Sequence, residues 1–435
     1  MAERTLHLNV NVIGAGMHPA AWRLPGGNPR AFFDPAHYAR VAAVAEAGLF
    51  DSAFLADNSY LHPQGYPNSA LDPIVTLAAM AAATSRIGLI GSYSTTFHQP
   101  YAIARAFASL DHFSGGRIGW NIVTSRNKPE GHNYGFTELP DRATRYARAV
   151  ETVEVVTALW DSWRPGALVL DTAAGLAVDR DLVTPIDHVG EHHSVAGPFQ
   201  VPPSPQGRPL LTQAGASEGG ADLAARFADA VFTSALFLEP GLEYAGRLRK
   251  AVVQHGRSPD SIAVMPGINP VIGSTEAEAR RRIAEHDEIA GPPGDPVTAV
   301  AAWTGVDPAA LTADRPVPLE LLVPTGNTYS SVGFDTSLRL YLERNAHRTV
   351  RELARDGRPG HRSVIGSAEQ VADDLEHWFR VGAADGFVIQ FDTLPGGLEL
   401  FVEHVVPLLQ KKGIFRREYS ETTLRDRFGV PYPGR

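Results

Sequence analysis

Residues 87–125 read IGLIGSYSTTFHQPYAIARAFASLDHFSGGRIGWNIVTS, and this stretch decides the fold. Ile87–Tyr93 is a short aliphatic run and predicts a buried strand. Pro100–Phe113 starts with proline in its first turn and is followed by Gly115-Gly116, which predicts a helix with both ends marked. Ile118–Thr124 predicts the next strand. Strand, helix and strand in direct succession form one unit of a parallel sheet, because parallel neighbours need a crossover and a helix supplies it. Outward from here the same alternation recurs. Further strands are predicted at Leu6–Ile13, Asp51–Ala56, Leu210–Gln213, Ala230–Thr233, Ile262–Ile272 and Gly386–Phe391, and the helix Pro35–Ala47 follows its cap Asp34. Eight strands in strict alternation predict a closed (β/α)8 TIM barrel, an α/β fold, as a single domain over residues 1–435. An open dinucleotide-binding sheet would carry G-x-G-x-x-G after its first strand. Here Gly14-Ala15-Gly16 stops short, with Pro19 where glycine is needed.

Two segments break the rhythm. Residues 160–209, rich in Gly, Pro and short alternating patterns, predict a β-hairpin insertion after the fourth helix. Residues 274–366, with AGPPGDP and VPTGNTYSSVG framing short helical pieces, predict an insertion between strands 7 and 8 that contains a lid, since so long a connection is usually functional.

Composition removes several classes of function. The chain has 435 residues and 44% hydrophobic content, enough for a large core. It has 39 basic and 48 acidic residues and no basic run longer than Arg280-Arg281-Arg282, which speaks against nucleic acid as a partner. With no Cys, disulfides, thiolate nucleophiles and Cys-ligated metals are excluded. The N-terminal MAERTLHLNVNV lacks an apolar signal core, and nowhere do enough apolar residues run together to span a bilayer, so a soluble, cytoplasmic protein is expected.

A TIM barrel places its chemistry at the C-terminal ends of its strands. Those ends are polar here: Asp57-Asn58, Ser94-Thr95-Thr96-Phe97-His98, Asn121 with Thr124-Ser125, and Gly215-Ala216-Ser217-Glu218-Gly219-Gly220. Caps and turns explain such clusters one at a time, less well four in succession. The last cluster leads into a helix, so backbone N–H groups and the Ser217 hydroxyl converge where an anion such as a phosphate is favoured. No metal site is expected: His192-His193 are adjacent and point apart on an extended chain. No serine sits in a G-x-S-x-G elbow either. Hydroxyls, amides and one carboxylate without a protein nucleophile suit a cofactor that brings its own reactivity.

The run Ser94–Ser125 resembles the signature of the nitrilotriacetate monooxygenase group of bacterial-luciferase-like, FMN-dependent monooxygenases, which also includes dibenzothiophene sulfone, EDTA and long-chain alkane monooxygenases. Ala21-Trp22-Arg23, Phe54-Leu55-Ala56-Asp57, Asn133-Tyr134-Gly135, Arg145-Tyr146, Leu159–Trp163, Pro205-Gln206-Gly207 and Gln213–Ser217 extend the similarity, and it continues more weakly into the tail Thr423–Pro433. The resemblance implies a luciferase-like barrel that takes reduced FMN as co-substrate, made by a separate NAD(P)H:flavin reductase, and uses O2 to oxygenate a small organic molecule. By position it places Asp57, Ser94, Thr95 and Asn121 around the isoalloxazine, and Tyr146, Ser217 and the amide of Ala216 at the phosphate. Arg142 stands where the family usually has histidine, four residues before the tyrosine, and is a further candidate for the phosphate. Asn121 is the catalytic candidate as a donor, and His98 and His132 are candidates for a proton relay, each with a structural role as its alternative. Such barrels are often homo-oligomers. Two other functions use the same features: a deazaflavin-dependent oxidoreductase on this fold, and a non-catalytic flavin-binding protein.

The substrate is less legible. Trp22, Tyr60, Tyr66, Phe97 and Tyr134 suggest an apolar wall, and Arg23, Arg126 and Lys128 suit an anionic tail. With no Cys and only 4 Met, the chain is spare in sulfur, which suits an enzyme made under sulfur limitation and acting on organosulfur compounds. Compositional drift in a chain with 41 Gly and 33 Pro accounts for the same counts.

Overall fold

The computed structural model describes residues 4–61, 70–215, 217–291, 294–322, 332–357 and 360–432. Its strands are β1 (His7–Asn11), β2 (Ser52–Leu55), β3 (Gly88–Ser94), β4 (Ile118–Val123), β5 (Leu168–Asp171), β6 (Leu176–Val178), β7 (His188–Val189), β8 (Ser194–Val195), β9 (Leu210–Ala214), β10 (Ala230–Thr233), β11 (Ala263–Gly273), β12 (Arg362–Ser367) and β13 (Gly386–Ile389). Parallel pairing runs β1-β2-β3-β4-β9-β10-β11-β13 and returns to β1, closing an eight-stranded barrel. All eight predicted strands are present. β12 is a ninth that the sequence did not predict, and it pairs with the upper half of β11.

Alternation along the strands divides the core. Leu8, Val10, Ala53, Leu89, Trp120 and Ile122 point outward into the apolar layer shared with the helices. Residues of the opposite parity fill the barrel. At its N-terminal end Phe54, Ile90 and Leu210 pack with Leu424 and Phe428 of the C-terminal tail, which closes that end. Farther up, the interior turns polar: Asn11, Ser92, Ser94, Asn121 and Gln390 are all buried.

The helix starts are set chemically. Asp34 and Asp72 accept backbone N–H bonds ahead of Pro35–Ala47 and Pro73–Ala83, each with proline at the first turn. Pro100–Ser114 ends on Gly115 at φ 70°, a left-handed conformation that costs glycine little. Among the described residues no helix is long and apolar enough to cross a membrane.

Both insertions differ from expectation in detail. Residues 160–209 carry two hairpins, β5-β6 and β7-β8, instead of one. Within residues 274–366 the described residues that precede β12 form a helical body. The helix Glu276–Ala290 is followed by Pro296–Thr304, Val332–Arg344 and Val350–Asp356, which bury Val300, Trp303, Leu338, Leu342, Val350 and Leu353 in a core of their own. The glycine and proline punctuation reads as loop but serves as helix ends, for example Gly305 at φ 73°. The predicted loop VPTGNTYSSVG lies largely outside the described residues, as do Ala216 and Tyr66.

Candidate active site

Strand β3 delivers Ser94 to the rim of the barrel, and the chain then turns sharply. The Ser94 hydroxyl accepts from the amides of Thr96 (3.2 Å) and Phe97 (3.3 Å), while the Thr95 amide donates to Val123 O at 2.9 Å. His98 closes the turn. Its Nδ1 lies 3.0 Å from Ser94 O. A carbonyl can only accept, so Nδ1 carries the proton and Nε2 is left with a lone pair. The ring stacks on Tyr93 at 3.8 Å, and burial lowers its pKa below the ordinary histidine value, which keeps it neutral.

Asn121 in β4 donates its amide to Ser92 Oγ at 2.8 Å, one strand over. Its carbonyl oxygen is buried without a partner. The same holds for Asn11 Oδ1, Thr96 Oγ1, Asn269 Oδ1 and Gln390 Nε2. These atoms all belong to the C-terminal halves or ends of their strands. An unmet buried polar atom costs on the order of 1–3 kcal/mol, so such a group along these strand ends suits a polar ligand's seat. Asn11 and Gln390, bonded to each other at 3.2 Å, and Asn269 escaped the sequence reading because they stand inside apolar strands. Their one signal is an amide at inward parity.

Asp57 follows β2 and is half-buried. Burial raises its pKa and the nearby Asp72 carboxylate raises it further, against a 3.1 Å bond from Ser59 Oγ that lowers it. Ser59 is tied to the short helix Lys128–Asn133 and its end: its amide donates to Glu130 at 3.0 Å, its carbonyl accepts from Asn133 Nδ2 at 2.8 Å, and Tyr134 reaches its hydroxyl at 3.2 Å. Tyr134 stacks on Phe97 at 4.3 Å, so this side of the mouth has an aromatic wall. His132, on the same helix, is exposed.

The third part of the site is the start of the helix Glu218–Phe227. Ser217 caps it, accepting from Gly220 N at 3.2 Å, and its hydroxyl lies 3.1 Å from the Tyr146 hydroxyl. The glycines make this approach possible. A Cβ on Gly219 would stand 3.2 Å from the Tyr146 ring, and one on Gly220 would stand 3.3 Å from its hydroxyl. Hydroxyls and free N–H groups at a helix N-terminus suit an anion. Arg142, one turn before Tyr146, is exposed with its guanidinium 5.8 Å from the tyrosine ring centroid. Among the described residues no group of three or more metal-ligating side chains is gathered.

Comparison with known proteins places the chain in a family. Residues 11–385 match the family model described as luciferase-like monooxygenase. The chain belongs to that family. It is 37% identical to N-acetyl-S-(2-succino)cysteine monooxygenase of Bacillus subtilis (strain 168), with 99% of this chain and 98% of the relative covered. It is also 37% identical to nitrilotriacetate monooxygenase component A of Aminobacter aminovorans, with the same coverage. The crystal structure of riboflavin lyase with modified FMN and riboflavin superposes with a TM-score of 0.85 at 30% identity, covering 99% of this chain and 97% of that one.

Proposed function

We propose that this protein is the oxygenating component of a two-component system, accepting reduced FMN from a separate NAD(P)H:flavin reductase and oxygenating a small organic substrate. The observation that carries this reading is the meeting, at one barrel mouth, of an anion seat at Tyr146 and Ser217 with a polar layer whose buried amides lack partners. A flavin mononucleotide has this division: a phosphate at one end and a flat ring edged with carbonyl and N–H groups at the other. In this reading Ser217, Tyr146, Arg142 and the amide of Ala216 hold the phosphate, and Asp57, Ser94, Thr95 and Asn121 surround the ring. Reduced flavin held there would supply two electrons and the oxygenated substrate the other two, so that one atom of dioxygen goes to the substrate and one to water.

The protein's own work is to orient and to exclude water. Asn121 is held by Ser92, so its free carbonyl stays aimed in one direction at little entropic cost. The Phe97–Tyr134 stack shields the mouth from solvent. His98, neutral with its lone pair on Nε2, accepts a proton and passes it outward; His132, out on the surface, is the weaker candidate for that role.

The test is an assay of NADH or NADPH oxidation with FMN, with and without an added flavin reductase, under oxygen-18 gas. Carboxylates, sulfones and thioethers serve as substrates beside sulfur-free amines and alkanes. The expected result is no nucleotide oxidation by the protein alone, and oxygen-18 in a product once reductase is added. Robust NAD(P)H turnover without reductase would sink the two-component assignment. Label confined to sulfur-free products would end the sulfur-scavenging idea while leaving the oxygenase.

A further inference from the structure

The barrel wall changes hands above β10. The lower part of β11, Ala263–Pro266, pairs with β10, and its upper part, Ile268–Gly273, pairs with β12 along the same edge, because β13 occupies the other. Gly360 and His361 lie at the join, where Ser234, just past the end of β10, hydrogen-bonds Gly360 O. Arg362 turns outward onto Trp378, 4.1 Å from its ring centroid, and pairs with Asp374. By alternation His361 turns inward. Its imidazole lies over Phe232, whose ring also packs with Phe54 inside the barrel, with centroids 5.1 Å apart and planes within 13°.

Two features mark this as a placed group and not packing filler. Gly267 leaves room for it: a Cβ there would come within 2.2 Å of Nδ1. That nitrogen is buried with no hydrogen-bond partner, although the residue as a whole keeps some exposure. Burial pulls its pKa down to about 4, which leaves a neutral ring with one N–H and one lone pair. In the ring of strands β11 stands four places from β3 in either direction, so His361 faces Ser94 across the mouth.

We propose that His361 is a substrate-contacting residue whose imidazole N–H donates to an acceptor oxygen of the substrate, in a carboxylate or a sulfonyl group. This rests on the reading of the mouth as the site of oxygenation. It adds which wall the substrate meets and what that wall asks of it. A donor reached through a split in the barrel wall, from the insertion and not from a barrel strand, can differ between relatives without disturbing the flavin's side.

The experiment is an equilibrium titration of the FMN-loaded full chain with two probes, nitrilotriacetate and dimethyl sulfone, followed by the ring nitrogen-15 signals of labelled histidines. The His361 signal is the one lost in His361→Gln. One of the probes is expected to shift it, and which probe does so assigns the oxygen to a carboxylate or a sulfonyl group. His361→Leu should weaken that probe about tenfold, the size of one lost hydrogen bond, while His361→Gln, which keeps a donor, stays within about threefold. Gly267→Ala, which keeps the histidine but displaces its ring, should match the leucine variant and is the second line should that variant fail to fold. FMN affinity, read by flavin fluorescence, should stay within about twofold in all of them. A signal that neither probe moves, equal probe affinity in all variants, or parallel loss of FMN and probe would each overturn the proposal. No turnover is involved, so a failed oxygenation assay with an intact His361 dependence would refute the enzymatic reading and leave this contact standing.

Discussion

Tyr146 and Ser217 sit 3.1 Å apart but 71 positions apart in the chain. Ser217 was legible because a Gly/Ser turn before a helix is a local pattern. Tyr146 was legible only through resemblance, since nothing near it in sequence says that its ring will lie across another helix's start. The in-strand amides Asn11, Asn269 and Gln390 were not legible, because one amide in an apolar run looks the same whether it meets a ligand or a neighbouring strand. The tautomer of His98 depends on a turn geometry that no sequence pattern displays. If Tyr146 and Ser217 hold a phosphate, losing one charge-assisted bond costs about 1.5–3 kcal/mol. Ser217→Ala and Tyr146→Phe are therefore expected to weaken FMN binding by that amount while leaving riboflavin nearly unaffected. Titration by fluorescence quenching checks it, and equal losses for both ligands would move the phosphate elsewhere.

Between elements, the buried Glu151 fastens the β7-β8 hairpin to the helix Arg142–Trp160 that also carries Tyr146. Burial by itself pushes this carboxyl up, but His188 Nε2 at 3.0 Å and the amides of His192 (2.9 Å) and His193 (2.8 Å) outweigh it and bring the pKa down to about 2 from the ordinary 4.5. A depressed acid contributes stability that is complete above its unfolded value and is lost as pH falls through the folded one. Glu151→Gln should thus lower unfolding free energy by roughly 1.5–3 kcal/mol near neutrality, with the gap from the parent closing between about pH 4.5 and 2, as urea titrations at several pH values would report. A gap constant with pH would mean the hairpin is held by packing instead. The helical insertion is joined differently. Its contacts to the mouth include Arg282 with Asp392 at 2.8 Å and His18 with Asp287 at 3.1 Å, both on its first helix, while the rest folds on its own core. The lid expected over residues 274–366 accordingly becomes a prediction about a folded body: trypsin should cut first within that range, and FMN should slow it. Cleavage elsewhere, or indifferent to FMN, would make the insertion a fixed wall. The helices here escaped the sequence reading because their glycines and prolines are the same residues that loops use, and β12 escaped because RSVIGS is short and only two of its six residues are buried.

Across the whole molecule the two ends of the barrel do separate work. The tail is the least legible part of the chain: Thr423–Pro433 shows in the sequence only through resemblance, because most partners of that segment are hundreds of residues away and no local pattern announces them. Leu424 is fully buried against Phe54, Ile90 and Leu210, and its amide donates to Gly116 O. Phe428 stacks on His7 at 4.4 Å with planes within 7°. Arg427 donates to the carbonyls of Asp51 and Arg86, each at 2.8 Å, and Arg416 pairs with the buried Asp51 at 2.7 Å, so the apolar plug is flanked by charge tied to the strand starts. All of this lies at the N-terminal end of the strands, opposite Ser94, Asn121 and Ser217. Truncating Leu424 to alanine removes buried methyl groups from its packing on Phe54, Ile90 and Leu210, and such a change costs about 2–5 kcal/mol. The barrel wall is common to both ends, yet the strand ends that meet ligand are positioned by their own turns and caps. Leu424→Ala is therefore expected to lower the denaturation midpoint strongly while FMN affinity, measured well below that midpoint, stays within about twofold of the parent, as expected when sites are far apart and share no partner. Should FMN affinity fall along with stability, the plug and the mouth would be one cooperative unit, and the division of labour between the two ends of this barrel would be wrong.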